Sequence, residues 1–288
     1  EAYTLIKDLN LSNENIKDGS IVIDKSKALF LNQLSMEKES ITFNRNQQFQ
    51  DLINKLTYSK SSDYSIPQPY QQILREYQCE GYKWIMTMSE YGFGGILADD
   101  MGLGKTLQMI TVLENTKFEN KVSIVITPAT LILNWQDEIK KFSTDLKVLC
   151  ISGSLTTRKE LIEQITNYNV IITSYDYLRR DYYLYKDYNF EYIILDEAQY
   201  IKNQATKNAK AVKELNGVNH FALTGTPIEN SLAELWSIFD FLMPNYLFSY
   251  HYFKEHFERP IVRDEDKDIQ LQLKKRSEER RVGKECTS

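Results

Sequence analysis

The stretch Asp99-Asp100-Met101-Gly102-Leu103-Gly104-Lys105-Thr106 combines two glycines, a lysine and a hydroxyl in the order that phosphate chemistry requires. An apolar run at 95–98 precedes it and reads as a buried strand. Leu107, Ile110 and Leu113 then recur at helical spacing through 106–118. Strand, glycine turn and helix start together make a cradle. Glycine lets the backbone approach an anion closely, and the unbonded N–H groups of the first helical turn point at it. In such a cradle Lys105 reaches the β- and γ-phosphates of a nucleotide, and the Thr106 hydroxyl holds magnesium. One position departs from the general pattern, because Asp99 stands where that pattern has glycine. The bland alternative is a tight strand–helix turn with a solvated lysine.

A second chemistry-bearing pair, Asp196-Glu197, closes the apolar run 192–195. Phosphoryl transfer needs one carboxylate to hold magnesium and one base to orient the attacking water. Asp196 suits the first role and Glu197 the second. An aspartate after a strand also serves as a helix cap, so the pair takes its catalytic meaning from the cradle upstream.

The elements that must position these groups follow from hydrophobic periodicity. Strands are expected at 95–98, 123–127, 148–152, 170–174, 192–195 and 221–224. Helices are expected at 74–91, 106–118, 130–142, 156–167 and 203–215. Near-continuous apolar strands separated by amphipathic helices imply an α/β fold: a mostly parallel sheet covered by helices on both faces. Ligands gather outside the carboxyl ends of such strands. Those ends carry Asp99–Thr106 as a block, then Thr127-Pro128, Ser174-Tyr175, Asp196-Glu197 and Thr224-Gly225-Thr226. The polar stretch 1–58 is an accessory segment, with a short hairpin expected from 20–23 and 28–31 and an amphipathic helix at 46–56. Residues 59–70, rich in serine and proline, read as a linker.

Composition narrows the class. Hydrophobic residues make up 42% and aromatics 12% of the 288 residues, enough for a sizeable core and against global disorder. No apolar run reaches membrane-spanning length, and no signal peptide is evident. Three cysteines without metal-ligand spacing fit a reducing cytoplasm and no cysteine-bound metal. A net charge of −5 argues against a uniformly basic nucleic-acid binder, while leaving room for a local phosphate-binding face. The start at Glu1 suggests an excised piece.

Five motifs occur in order: Leu74-Arg75-x-Tyr77-Gln78-x-x-Gly81-x-x-Trp84, DDMGLGKT, TPATLILNW (127–135), DEAQ (196–199) and LTGTPIEN (223–230). With them residues 74–275 resemble the first motor lobe of the Swi/Snf-type ATPases, DNA translocases of helicase superfamily II. In that family aspartate opens the cradle, so Asp99 becomes agreement. The resemblance implies a RecA-like lobe at 71–245 and ATP and magnesium as cofactors. It implies a nucleotide site of Arg75, Gln78, Asp100, Met101, Gly102, Leu103, Gly104, Lys105 and Thr106. Gln78 would read the adenine edge, Asp196 with Thr106 would hold the metal, and Glu197 would handle water. Thr224, Gly225 and Thr226 would couple the nucleotide state to double-stranded DNA. A second motor lobe of the same protein would face this one.

DNA contacts are expected at Thr127, Pro128 and Ala129, which precede a helix, and at Ser174 and Tyr175; Gly153-Ser154 ends a neighbouring strand and is a further candidate. Trp135 reads as core, and the tyrosines at 175–188 as a solvated, partly aromatic surface. Residues 246–275 would begin a helical protrusion. Residues 276–288, polar and without periodicity, read as a foreign tail. Two rivals remain. An RNA helicase of the same superfamily would commonly carry Ser-Ala-Thr where this chain has Thr224-Gly225-Thr226. A nucleotide-dependent binding module would lack turnover.

Overall fold

The structure, a computed structural model, describes residues 16–17, 20–21, 32, 44–58, 64–116, 121–225, 231–244, 246–278 and 281–282. These fall into two compact units. One is drawn from Glu1–Lys60 and Met243–Glu279, the other from Ser61–Leu242 and Arg280–Ser288.

In the first unit β1 (Ile16–Lys17) pairs antiparallel with β2 (Ser20–Ile21). The expected hairpin partner of residues 20–23 was 28–31, which lies outside the described residues. Helix α1 (Gln47–Tyr58) starts where the Asn46 side chain accepts from the Phe49 N–H at 2.8 Å.

The second unit holds the sheet. Helix α2 (Glu76–Glu90) leads into β3 (Gly95–Leu97), and α3 (Lys105–Thr116) into β4 (Ser123–Thr127). A 3-10 turn (Ala129–Leu131) opens α4 (Ile132–Phe142), followed by β5 (Val148–Cys150), α5 (Leu155–Ile162) and β6 (Val170–Ser174). Then come α6 (Tyr175–Asp181), β7 (Asn189–Asp196), α7 (Lys207–Lys213), β8 (Asn216–Leu223) and α8 (Leu232–Leu242). Back in the first unit, α9 (Tyr250–Phe253), a π-helical turn (Lys254–Glu258), α10 (Arg259–Arg263) and α11 (Lys267–Glu278) follow. The short β9 (Arg281–Val282) belongs to the sheet.

Laterally the order is β5-β6-β4-β7-β8-β3-β9, and every neighbouring pair is parallel. All five residues of β4 and of β6 are buried, as strands covered on both faces require. Register decides the site. Leu97 on β3 lies level with Leu223 on β8, Leu223 with Asp196 on β7, and Leu195 with Ile126 on β4. The carboxyl ends of four adjacent strands therefore finish in one row.

Three features differ from the sequence expectations. The stretch read as a linker ends in an ordered turn anchored by one side chain: Pro67 and Pro69 shape a 3-10 turn, Tyr70 is fully buried, and the Ile66 carbonyl accepts from Gln71 Nε2 at 2.8 Å. The tyrosine-rich stretch read as a solvated surface contains a real helix, α6, with Tyr175 and Tyr185 buried. The tail left outside the fold contributes three further residues to α11 beyond 275. It also supplies β9, which meets the otherwise open edge of β3.

A buried ion pair secures the turn after β5. Arg158 on α5 donates from Nε and Nη2 to the Asp181 carboxylate of α6 at 2.5 and 3.0 Å, and from Nη1 to the Gly153 carbonyl at 2.6 Å. Both side chains are almost fully buried, and the guanidinium stands 4.7 Å from the Tyr177 ring centre. Paired and hydrogen-bonded charge is the form in which burial is tolerated. Among the described residues, no helix is long and apolar enough to cross a membrane.

Candidate active site

The phosphate loop connects β3 to α3. Gly102 and Gly104 take φ of 84° and 78°, a left-handed conformation that L side chains resist, so glycine is required at both. A Cβ on Gly104 would lie 2.4 Å from Gln78 Nε2. That closeness reflects a staple: Gln78 Nε2 and the Tyr77 hydroxyl both donate to the Leu103 carbonyl, at 2.9 and 2.8 Å. Gln78 Oε1 in turn accepts from the Arg75 N–H at 2.9 Å, capping α2. The first two motifs are thus brought together. Gln78, expected to read adenine, has both ends of its amide engaged with protein, though Nε2 keeps one further hydrogen. Arg75 itself is exposed at the helix start.

Lys105 donates to the loop's own carbonyls, Asp99 at 2.6 Å and Asp100 at 3.2 Å. Asp99 earns its departure from glycine by accepting from Gln108 Nε2 at 2.8 Å, which ties the loop to α3. Asp100, Met101 and Gly102 are exposed; Leu103, Gly104, Lys105 and Thr106 are half-buried. A glycine-lined backbone, a lysine resting on the loop's own carbonyls and a half-buried hydroxyl in the first turn of α3 fit a triphosphate. The oxygen donors of Thr106 and Asp196 fit magnesium, which takes few protein ligands and completes its shell with phosphates and water.

The paired carboxylates are held in different ways. Asp196 Oδ2 accepts from the Trp135 indole N–H at 2.8 Å and from the Thr127 hydroxyl at 3.0 Å. Its Oδ1 accepts the Glu197 backbone N–H at 3.1 Å, and its carbonyl accepts from the Tyr175 hydroxyl at 2.8 Å. Burial pushes the Asp196 carboxyl above its ordinary range. The two side-chain hydrogen bonds pull against that shift, and the neighbouring Glu197 charge adds to it. Glu197 has φ of 53°, uncommon for a residue with a Cβ and a strain of the kind found at functional sites. Its Oε2 accepts from Gln199 Nε2 at 2.7 Å.

Thr224 follows β8 into the same row, with its hydroxyl 3.4 Å from Gln199 Oε1 and its N–H on the Leu97 carbonyl at 3.2 Å. A Cβ on Gly225 would lie 2.7 Å from Met101 Cγ and 3.7 Å from Lys105 Nζ, so this glycine abuts the phosphate loop. Thr226 lies outside the described residues.

The residues expected to touch DNA divide. Ala129 is exposed and Pro128 half-buried at the start of the turn before α4. Thr127 is fully buried with its hydroxyl on Asp196, so it is turned away from solvent and toward the paired carboxylates. Ser174 is a buried helix cap, accepting from the Tyr177 N–H at 3.2 Å, and Ser154 caps α5 in the same way. Tyr175 is buried and stacks on Tyr200 with ring centres 5.0 Å apart. Burial, reinforced by the Asp196 and Glu197 charges, pushes its phenol well above the usual value, so it acts as a neutral donor. Sequence reading missed the roles of Trp135 and Gln199. Both stood inside recognised motifs, but nothing in their spacing identified their partners.

Comparison with known proteins bears on the family and the fold. Residues 77–280 match the SNF2-related domain, and residues 1–67 match the bacterial SNF2 helicase associated family. An uncharacterized ATP-dependent helicase of Mycoplasma pneumoniae is 46% identical over 189 residues, covering 65% of this chain and 18% of its own length. The yeast TATA-binding protein-associated factor MOT1 is 38% identical over 218 residues, covering 71% of this chain and 12% of its own. The Sulfolobus solfataricus SWI2/SNF2 ATPase core in complex with dsDNA superposes with a TM-score of 0.69 at 41% identity. That match covers 76% of this chain and 46% of the archaeal one. The chain therefore spans less than a fifth of the two longer relatives and about half of the archaeal core. From motifs, sheet order and matches together, the chain belongs to the SNF2-related family of Swi/Snf-type superfamily II ATPases, whose N-terminal RecA-like lobe it carries.

Proposed function

We propose that this chain binds magnesium-ATP and forms the hydrolytic half of a motor that translocates on double-stranded DNA. The observation that carries the reading is the row of strand ends that sets the Lys105 loop, Asp196-Glu197 and Thr224 side by side, with Glu197 held by Gln199. In this reading Lys105 exchanges the Asp99 and Asp100 carbonyls for β- and γ-phosphate oxygens. Thr106 and Asp196 hold the magnesium, which supplies charge neutralisation at the transferring phosphoryl group. Glu197 orients the attacking water and takes its proton, while Gln199 fixes the carboxylate that does so. A second lobe would close the cleft from the other side and bring an arginine to the γ-phosphate. Such a finger is worth about 10³–10⁵ in rate.

The dsDNA bound to the archaeal relative supports duplex DNA as the track. Hydrolysis by a protein extended to the length of that relative should rise on adding duplex DNA and not on adding single-stranded RNA. Residues 1–288 alone should bind nucleotide yet show no duplex stimulation. Stimulation by RNA alone would transfer the reading to the RNA helicases. Stimulated turnover by residues 1–288, independent of protein concentration, would overturn the two-lobe requirement.

A further inference from the structure

The Asp196 carboxylate has about four lone-pair sites, and the structure shows how three are used. Oδ2 takes two donors, Trp135 Nε1 and the Thr127 hydroxyl, and Oδ1 takes one, the Glu197 N–H. One site, on Oδ1, is left. The donors come from three places: the end of β4, one turn into α4, and the backbone after β7. Trp135 is 2% exposed, and the indole has a single donor, so that N–H would be orphaned in the core without Asp196. Leu133, two residues earlier on the same helix, is 64% exposed, so α4 joins open surface to the carboxylate through one side chain.

We propose that Trp135 is a positioning residue for magnesium: its indole N–H locks Oδ2 of Asp196, so that the carboxylate meets the ion, or one of its waters, through Oδ1 alone. This rests on the reading of Asp196 as a magnesium ligand. Without the indole the Thr127 hydroxyl would be the one donor left on Oδ2 and the Glu197 N–H the one on Oδ1, so the carboxylate would turn more readily about its Cβ–Cγ bond. The ion would then lose orientation without losing charge. Partners that orient a metal ligand in this way are worth about 10–100-fold in metal affinity.

The test separates the hydrogen bond from the packing. Trp135 is replaced in residues 1–288 by 3-benzothienylalanine, which keeps the bicyclic shape and has sulfur in place of N–H; Trp135→Phe serves as a second variant. ATP affinity is measured by calorimetry in EDTA and in excess magnesium, with melting followed in parallel. The expected result is unchanged affinity in EDTA and a loss of about tenfold or more in the enhancement by magnesium, for both variants. An isostere with the full wild-type enhancement would overturn the proposal. Equal weakening in EDTA and in magnesium would also overturn it, by assigning Trp135 to packing. Loss of the melting transition with the isostere would assign the N–H to folding, again against the proposal. The control is Asp196→Asn. If that change leaves the magnesium enhancement intact, the ligand reading itself fails, and the failure is visible independently of Trp135.

Discussion

Gln199 Nε2 donates to Glu197 Oε2 at 2.7 Å, holding the carboxylate that we propose as the base. The other end of the same amide lies 3.4 Å from the Thr224 hydroxyl, so one side chain bridges the ends of β7 and β8. Gln199→Ala should leave magnesium-ATP affinity within about twofold, since it removes no phosphate or metal contact. It should slow single-turnover hydrolysis in the longer protein by about tenfold or more, because the base loses its orientation. A weakened affinity with unchanged hydrolysis would show that Gln199 serves binding instead.

The two carboxylates and the lysine should separate by assay. Glu197→Gln should retain magnesium-ATP and abolish turnover. Asp196→Asn should blunt the magnesium dependence of binding. Lys105→Ala should weaken nucleotide binding about tenfold or more, given roughly 1.5–3 kcal/mol for a charge-assisted contact. Calorimetry with and without magnesium, beside single-turnover hydrolysis, reads all three. Indistinguishable behaviour of the two carboxylate variants would refute the division of labour.

Arg158 and Asp181 form a buried pair, so removing one partner should cost more than removing both. Arg158→Met leaves the Asp181 charge uncompensated and should destabilise by about 3–5 kcal/mol in denaturant unfolding. Adding Asp181→Leu should recover much of that loss. A single variant as stable as wild type would mean that water reaches the pair.

His220 on β8 packs edge-on to Phe241, ring centres 5.2 Å apart, and burial lowers its pKa from 6.5 to about 4. The folded chain therefore keeps His220 neutral while the unfolded chain takes up a proton. Stability from this group is intact above pH 6.5, falls as pH drops through the window, and levels off near 4, with a total loss of about 3 kcal/mol. His220→Phe should flatten that part of the acid limb. Unfolding free energies at pH 7 and pH 5 that differ equally in both proteins would exclude His220 as the cause.

What was legible in the chain was local. The phosphate loop announced itself because glycines, a lysine and a helix start lie within eight consecutive residues, and β4 and β6 because strands buried on both faces carry an unbroken run of three apolar residues each. The packed turn at 68–70 was illegible because serine and proline mark a linker and a tight turn alike, and only burial of Tyr70 distinguishes them. Helix α6 was hidden because tyrosines and charges alternate without a clean apolar stripe, and its buried anchor is an ion pair. The gathering of Thr127, Trp135 and Tyr175 on Asp196 depended on the tertiary fold alone. Thr127 and Trp135 stand 69 and 61 residues from Asp196 in sequence. They reach it because β4 is laid beside β7 with Ile126 level with Leu195. A one-residue slip would turn the Thr127 side chain to the opposite face of the sheet, and no local pattern in the sequence encodes that register.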